Sequence, residues 1–390
     1  MDSMKNFKTI LDSRGLELDS ILKKLENFKI ATPSWAYSEG GTRFHVFKDK
    51  EAAEGLYERI KFAGQVQNYT GITPELSIHI PWDKVEDFDK AKELAEENNI
   101  RITAINPNLF EEEIYKLGSL THSSKQVRKI ALNHIYECIE IAEIFNAPYL
   151  SLWFADGTNF PGQGDFTSRK HRLEKSLTKV YKRMPSNMKM LLEYKFYEPS
   201  FYHTDIPDWG TALLFCQKLG DRAQVLVDLG HHPQATNIEF IVANLADEGK
   251  LGGFHLNSRK YGDDDLTTGS LNPYELFLIF NELNKANVDD YRKTAFMLDQ
   301  SHNLKPKIDA MIQSIVSCQI LYAKVLTIDR KKIQESQKQG DIILAEETLK
   351  KAFLTNVTPL LSKFREEHNI PLDPLKAYRD SNFKRNLLKE

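Results

Sequence analysis

The chain has 390 residues, 41% of them hydrophobic and 11% aromatic, which is enough for a sizeable core and excludes wholesale disorder. Its 52 Lys and Arg nearly balance 55 Asp and Glu, a formal charge of −3, which argues against a generally basic nucleic-acid surface. Three cysteines, Cys138, Cys216 and Cys318, are too few and too scattered for a disulfide framework or a thiolate zinc site. No apolar h-region follows Met1 and no uncharged run reaches the length of a membrane span. The expectation is a soluble cytoplasmic protein with neither a membrane nor a nucleic acid as partner.

Residues 1–27 read as a helical lead-in, with Leu16, Leu18, Ile21, Leu22 and Leu25 spaced along one apolar face. Eight short β-prone runs follow: Phe28–Trp35, Glu75–Ile80, Ile100–Asn106, Pro148–Phe154, Met188–Lys195, Gln224–Leu229, Gly253–Asn257 and Ala295–Asp299. Most are separated by stretches of helical spacing with charged outer positions, such as Lys84–Asn98 and Lys125–Phe145. Such alternation predicts an α/β fold, a (β/α)8 TIM barrel over residues 28–328, with a doubly wound open sheet as the alternative. Neither GxGxxG nor GxxxxGK[ST] occurs, which weighs against nucleotide-binding versions of the open sheet. Residues 329–390 are a charged, helix-prone extension broken at Pro359, Pro371 and Pro374. That extension is either a solvated tail or, as its interspersed Leu, Phe and Tyr allow, an arm for oligomer contacts.

In a parallel barrel the carboxyl ends of the strands converge on one mouth, where chemistry sits. The predicted ends are Trp35, His79, Asn106, Trp153, Glu193, Asp228, His255 and Asp299. Glu193, Asp228, His255 and Asp299 would form a ring of three carboxylates and one imidazole, suited to Mn²⁺, Mg²⁺, Co²⁺ or Zn²⁺. Without a cation, clustered carboxylates repel and one must take a proton. A second set follows closely: His231 lies three residues past Asp228, and Asp263 and Asp265 project to one side of an extended loop, with Asp264 pointing away. With Glu193 bridging, His231, Asp263 and Asp265 would hold a second ion. Taken singly, the Asp263–Asp265 run reads as a solvated turn and Lys195 as a salt-bridge partner of Glu193. Their coincidence on three consecutive βα units favours the metal reading.

The runs Leu191-Leu192-Glu193-Tyr194-Lys195, Val227-Asp228-Leu229-Gly230-His231-His232, Phe254-His255-Leu256-Asn257-Ser258-Arg259-Lys260-Tyr261 through Asp265, and Met297-Leu298-Asp299-Gln300-Ser301-His302-Asn303 resemble the L-rhamnose isomerase family, in its bacterial branch of broad aldose specificity. Pro33-Ser34-Trp35, Ser77-Ile78-His79-Ile80-Pro81-Trp82 and Ser151-Leu152-Trp153 look like that family's sugar-binding strand ends. The resemblance implies a xylose-isomerase-like barrel, a homotetramer, two divalent ions per subunit with Mn²⁺ first in rank, and interconversion of L-rhamnose and L-rhamnulose. It implies Glu193, Asp228, His255 and Asp299 as ligands of a structural metal. His231, Asp263 and Asp265, with Glu193 shared, are implied for a catalytic one. Lys195 matches a lysine beside the reacting carbons, and Gly40–Phe44 resembles a loop through which a neighbouring subunit closes the sugar pocket.

The reaction moves one hydrogen between C1 and C2 and one between O1 and O2. Two ions would disperse alkoxide charge without supplying a proton, which favours a 1,2-hydride shift over an enediol route. The site expectation is therefore Lys195, Asp299 and His231 for catalysis, and Trp35, Phe44, His79, Trp153, Glu193 and Lys195 for substrate. Rival readings on the same barrel are an isomerase of another aldose such as D-allose or L-mannose, a ketose 3-epimerase, and a metal-dependent nuclease. The epimerase should bring two opposed glutamates to one metal, and the nuclease a basic phosphate groove. The polar strand ends here are mostly acidic or aromatic.

Overall fold

Glu75–Ile80 and Leu251–Leu256 are buried at every position, the pattern of parallel strands covered on both faces. In the computed structural model, which describes residues 2–41, 45–198 and 202–387, eight such strands close into one parallel barrel. They are β1 (Ala31–Pro33), β2 (Glu75–Ile80), β3 (Arg101–Pro107), β4 (Tyr149–Leu152), β5 (Lys189–Glu193), β6 (Ala223–Asp228), β7 (Leu251–Leu256) and β8 (Ala295–Leu298). Closure comes at Ala31, which pairs with Met297 of β8 and Glu75 of β2. The (β/α)8 expectation holds, and the open sheet does not.

Helices α1 (Asp2–Ser13) and α2 (Leu18–Asn27) precede β1. One helix then follows each strand: α3 (Gly55–Thr70), α4 (Phe88–Glu97), α5 (Lys125–Phe145), α6 (Phe166–Arg183), α7 (Trp209–Leu219), α8 (Ile238–Asp247), α9 (Pro273–Lys285) and α10 (Lys307–Val325). The side chains of Asp87, Ser124, Asp165, Asp208, Asn237 and Asn272 cap α4 to α9 in turn. Each accepts a backbone N–H that the first helical turn leaves unpaired. Among the described residues, no single helix is long and apolar enough to cross a membrane.

Seven of the eight strands shift from their predicted bounds, β2 alone matching them, and β1 and β7 show the physical reasons most clearly. β1 stops at Pro33, and Trp35 lies beyond it in a 3-10 turn, Ser34–Tyr37, because Pro33 has no N–H and Ser34 Oγ turns to Asp83 Oδ2 at 2.5 Å. β7 begins at Leu251, two residues before its predicted start at Gly253, and runs through Gly252. A Cβ at Gly252 would lie 2.6 Å from Gln224 Cβ, so the close approach itself requires glycine.

The extension carries α11 (Arg330–Gln339), α12 (Ile342–Phe353), α13 (Thr358–Glu367), α14 (Pro374–Arg379) and α15 (Asn382–Leu387). Pro359 and Pro374 begin helices rather than break them, since the first turn needs no N–H from them. Leu360, Leu361, Phe364 and Tyr378 join the same buried core as Phe7, Leu11, Ile21 and Leu25 of the lead-in. The extension thus packs on its own barrel, against α10, α3 and α1. Gly71 marks one seam: it ends α3 at φ 72°, and a Cβ there would fall 1.9 Å from Ile370 Cδ1. Gly71→Ala is therefore expected to destabilise the protein by about 1–3 kcal/mol, combining left-handed strain with overpacking, as urea midpoints will show.

Candidate active site at the barrel mouth

β5 and β6 end on Glu193 and Asp228, His255 is the penultimate residue of β7, and Asp299 follows β8 directly. All four present a ligand-capable atom within 4.8 Å of one another. His255 Nδ1 lies 3.2 Å from Glu193 Oε1, 3.3 Å from Asp299 Oδ2 and 3.5 Å from Asp228 Oδ2. A second group, Asp228, His231 and Asp263, meets the same limit. His231 Nδ1 donates to the Tyr194 carbonyl at 3.0 Å, which turns Nε2 toward Asp263 Oδ1 at 3.4 Å and Asp228 Oδ2 at 4.0 Å.

The second group differs from the expected one. Asp228 takes the place given to Asp265, and Glu193 stands 3.2 Å from His231 Nδ1 rather than within the cluster. The reason is local. Asp265 has φ 46°, so the loop is not extended there and strict alternation fails. Its Oδ1 accepts from Asn257 Nδ2 at 3.3 Å, and the same amide donates to Asp228 Oδ1 at 3.0 Å. Asp265 still lines the cavity beside Asp263. Asp264 accepts from the backbone N–H groups of Lys260, Tyr261 and Gly262, closing the turn.

The donor set suits a divalent cation. It offers carboxylate oxygens and imidazole nitrogens, and Asp228 Oδ2 and Asp263 Oδ1 are buried without a hydrogen-bond partner among the described residues. Protons otherwise balance the charge. Burial opposes a charged His231, yet Asp228 and Asp263 push its pKa up to about 9. His255, equally buried, is carried well above the histidine range by Glu193 and its other carboxylate neighbours. Burial together with Asp263, Asp299 and Asp228 raises Asp265 well above the carboxylate range. Asp263 moves the other way: burial opposes its charge, but His231 and Lys195 hold it low.

Lys195 lies two residues past the end of β5, buried, with Nζ donating to Asp263 Oδ2 at 2.7 Å and to Glu198 Oε2 at 3.3 Å. The ammonium also sits 5.0 Å from the Trp153 ring centroid. It is not a simple partner of Glu193. Burial would discharge it, but Asp263 and Glu198 raise its pKa, so it stays an ammonium.

Aromatic rings line the same cavity, whose volume is about 220 Å³. His79 stacks on Trp82 at 4.0 Å, Trp35 meets His79 edge-on at 5.7 Å, and Phe110 meets Trp153 at 4.9 Å. Trp35 Nε1 donates to Asp299 Oδ1 at 2.9 Å, tying the aromatic side to the acidic one. Burial, then the field of His134, lowers the His79 pKa to about 3, so its ring is neutral. His79 Nδ1 is buried and unpartnered among the described residues. Phe44 lies outside the described residues. Sequence reasoning missed Phe110, Pro107 and the bracing Asn257 and Glu198. The only signal for the first two was an Asn-Pro-Asn-Leu-Phe run leaving β3.

Residues 65–303 match the family model described as the xylose isomerase-like TIM barrel. Along the whole chain, a probable sugar isomerase of Rhizobium meliloti is 41% identical over 381 residues, covering 96% of this chain and 89% of that one. A probable sugar isomerase of Mesorhizobium japonicum is also 41% identical over 381 residues, covering 96% and 88%. Among solved structures, an L-ribulose 3-epimerase superposes with a TM-score of 0.56 at 15% identity, covering 79% of this chain and 97% of that one. A 3-keto-D-glucoside 4-epimerase from E. coli gives 0.53 at 15% identity, covering 78% and 99%. The closed parallel barrel, the family match over seven of its eight strands and the relatives covering 96% of the chain agree: the chain belongs to the xylose isomerase-like TIM-barrel family.

Proposed function

We propose that the protein is a divalent-metal-dependent aldose–ketose isomerase of the cytoplasm, acting on L-rhamnose and L-rhamnulose as a homotetramer. The observation that carries this reading is the meeting of two adjoining carboxylate–imidazole groups and an aromatic wall in one small cavity. The names of the two bacterial relatives support the reaction class. Glu193, Asp228, His255 and Asp299 would hold one ion. His231, Asp263 and Asp265, sharing Asp228 or Glu193, would hold a second, with Mn²⁺ the first choice. Ions held there would supply Lewis-acid polarisation of sugar oxygens and disperse alkoxide charge.

The chain's own groups do the rest. Trp35, Trp153 and Phe110 pack against sugar C–H surface and keep bulk water out. Neutral His79 exchanges a hydrogen bond with a sugar hydroxyl through its free Nδ1. Lys195, held as an ammonium, donates toward a sugar oxygen and offsets negative charge; it is not a base. Asp299, steadied by the Trp35 indole, keeps Oδ2 turned toward His255. One hydrogen then passes between C1 and C2 with its electron pair, and a proton passes between O1 and O2.

Chelated, Mn²⁺-reloaded enzyme should give its highest kcat/KM with L-rhamnose in a panel that includes L-mannose and D-allose. Deuterium from the [2-²H]-aldose should stay with the ketose. Washout into solvent would overturn the hydride shift, and interconversion of ketoses alone would replace isomerase with epimerase.

A further inference from the structure

The C-terminal extension reaches the loop that follows β1. Lys384 of α15 is a buried cation with its ammonium on two acids: the Asp309 carboxylate at 2.9 Å, in the first turn of α10, and the Glu51 carboxylate across the chain. Arg379 already pairs with Asp309 at 2.6 Å, so α10 does not need Lys384 for neutrality. What Lys384 adds is the link to Glu51, which lies in the loop after β1, just past the short antiparallel ladder that pairs Val46 and Phe47 with Gly41 and Gly40. Val46 and Phe47 in that loop are 55% and 49% exposed.

From Glu51 the contacts run inward. Glu51 N donates to Asp49 Oδ1 at 2.9 Å, and Asp49 Oδ2 lies 3.6 Å from the buried ammonium of Lys307, which donates to the His302 carbonyl at 2.6 Å. Ala53 N donates to the Tyr37 carbonyl at 2.8 Å, in the 3-10 turn that carries Trp35. A second route is aromatic. Phe383, the neighbour of Lys384, meets Phe62 of α3 edge-on at 6.0 Å, and Phe62 meets Tyr37 edge-on at 6.1 Å. Two separate chains of contact thus lead from α15 to the turn whose indole bonds Asp299.

We propose that Lys384 is a positioning residue for the sugar cavity: through Glu51 it fastens the β1 loop to the extension and so sets the Trp35 turn against Asp299. This assigns residues 374–387 a task within their own subunit, and it rests on the reading of the cavity as the sugar site. The pair crosses 333 residues of sequence, so the end of the chain reports on a loop near its beginning.

The test is amide hydrogen exchange on the full-length protein with Lys384→Met, Lys384→Arg and Glu51→Gln. Lys384→Met and Glu51→Gln should each speed exchange across residues 45–53 by about tenfold while strands β2 to β7 keep their protection. KM for L-rhamnose should rise about fivefold in both, with kcat within about twofold, and Lys384→Arg should restore loop protection and KM together. Glu51→Gln leaves the Lys384–Asp309 pair intact, so it answers the question even if Lys384→Met folds poorly. Unchanged exchange in the loop, or an increase shared equally by the barrel strands, would overturn the proposal. Loop-limited loosening in a protein that turns over no aldose would leave the role of Lys384 standing and overturn the sugar reading instead.

Discussion

Glu193→Gln is expected to weaken Mn²⁺ binding by more than about a hundredfold, since even an outer partner of a metal ligand is worth about 10–100-fold. Turnover should be lost with it. The expectation follows from position. Glu193 closes β5, is almost fully buried, and its Oε1 lies 3.2 Å from Nδ1 of both His255 and His231. Together with Asp228 it therefore stands between the two imidazoles. Glutamine keeps the shape and removes the charge, and its amide can present N–H where the imidazoles present theirs. A cation would then face one negative charge fewer in a setting where charges are poorly screened.

The fold should survive the change. The β5 ladder to β4 and β6 is made by the backbone, and the neighbouring hydrophobic side chains are untouched. Titration calorimetry with Mn²⁺ beside a ketose assay measures both losses, and the thermal midpoint of chelated protein controls for folding. Full turnover with wild-type Mn²⁺ affinity would remove Glu193 from the centre of the site.

Much of this site could be read from strand ends, and the reason is geometric. A parallel barrel sends every strand's carboxyl end to one mouth, so Glu193, Asp228, His255 and Asp299 meet wherever the strands between them register. Loops obey no such period. Asp265 lies beside the tight group of Asp228, His231 and Asp263 rather than in it, because its left-handed backbone breaks the alternation that an extended loop would have. Phe110 entered the cavity from an irregular segment that no periodicity marks. Trp35 closes a β-prone run in the sequence yet lies in a turn, because Pro33 ends the ladder. The docking of the extension was invisible for a different reason. Contacts such as Ile370 beside Gly71, or Lys384 on Glu51, join residues hundreds of positions apart and leave no local trace. Pro359 and Pro374 looked like breaks for want of that context, although proline is well suited to a helix's first turn.

Mn²⁺ loading is expected to tighten steeply between about pH 6 and pH 9, by roughly tenfold per pH unit for each proton that the metal expels. The protons are already placed. His231, with its pKa raised to about 9, is protonated at neutral pH without a cation, and His255 and Asp265 are carried well above their ordinary ranges by the same carboxylates. An imidazole binds metal only after losing its proton, so each must be displaced, and raising the pH removes the competitor.

Chelated protein should respond in the opposite sense. A histidine whose folded pKa lies above its unfolded value stabilises the fold fully below about pH 6.5 and loses that contribution as pH climbs through about 9. Thermal midpoints of the chelated form should therefore fall from pH 7 to pH 9, while those at a fixed, subsaturating Mn²⁺ concentration should rise relative to them. Calorimetry in two buffers of different ionisation enthalpy counts the protons released, and at least one per subunit is expected at pH 7. A Mn²⁺ affinity that stays flat from pH 6 to pH 9 would show that the imidazoles are not displaced, and would move the ion away from His231 and His255.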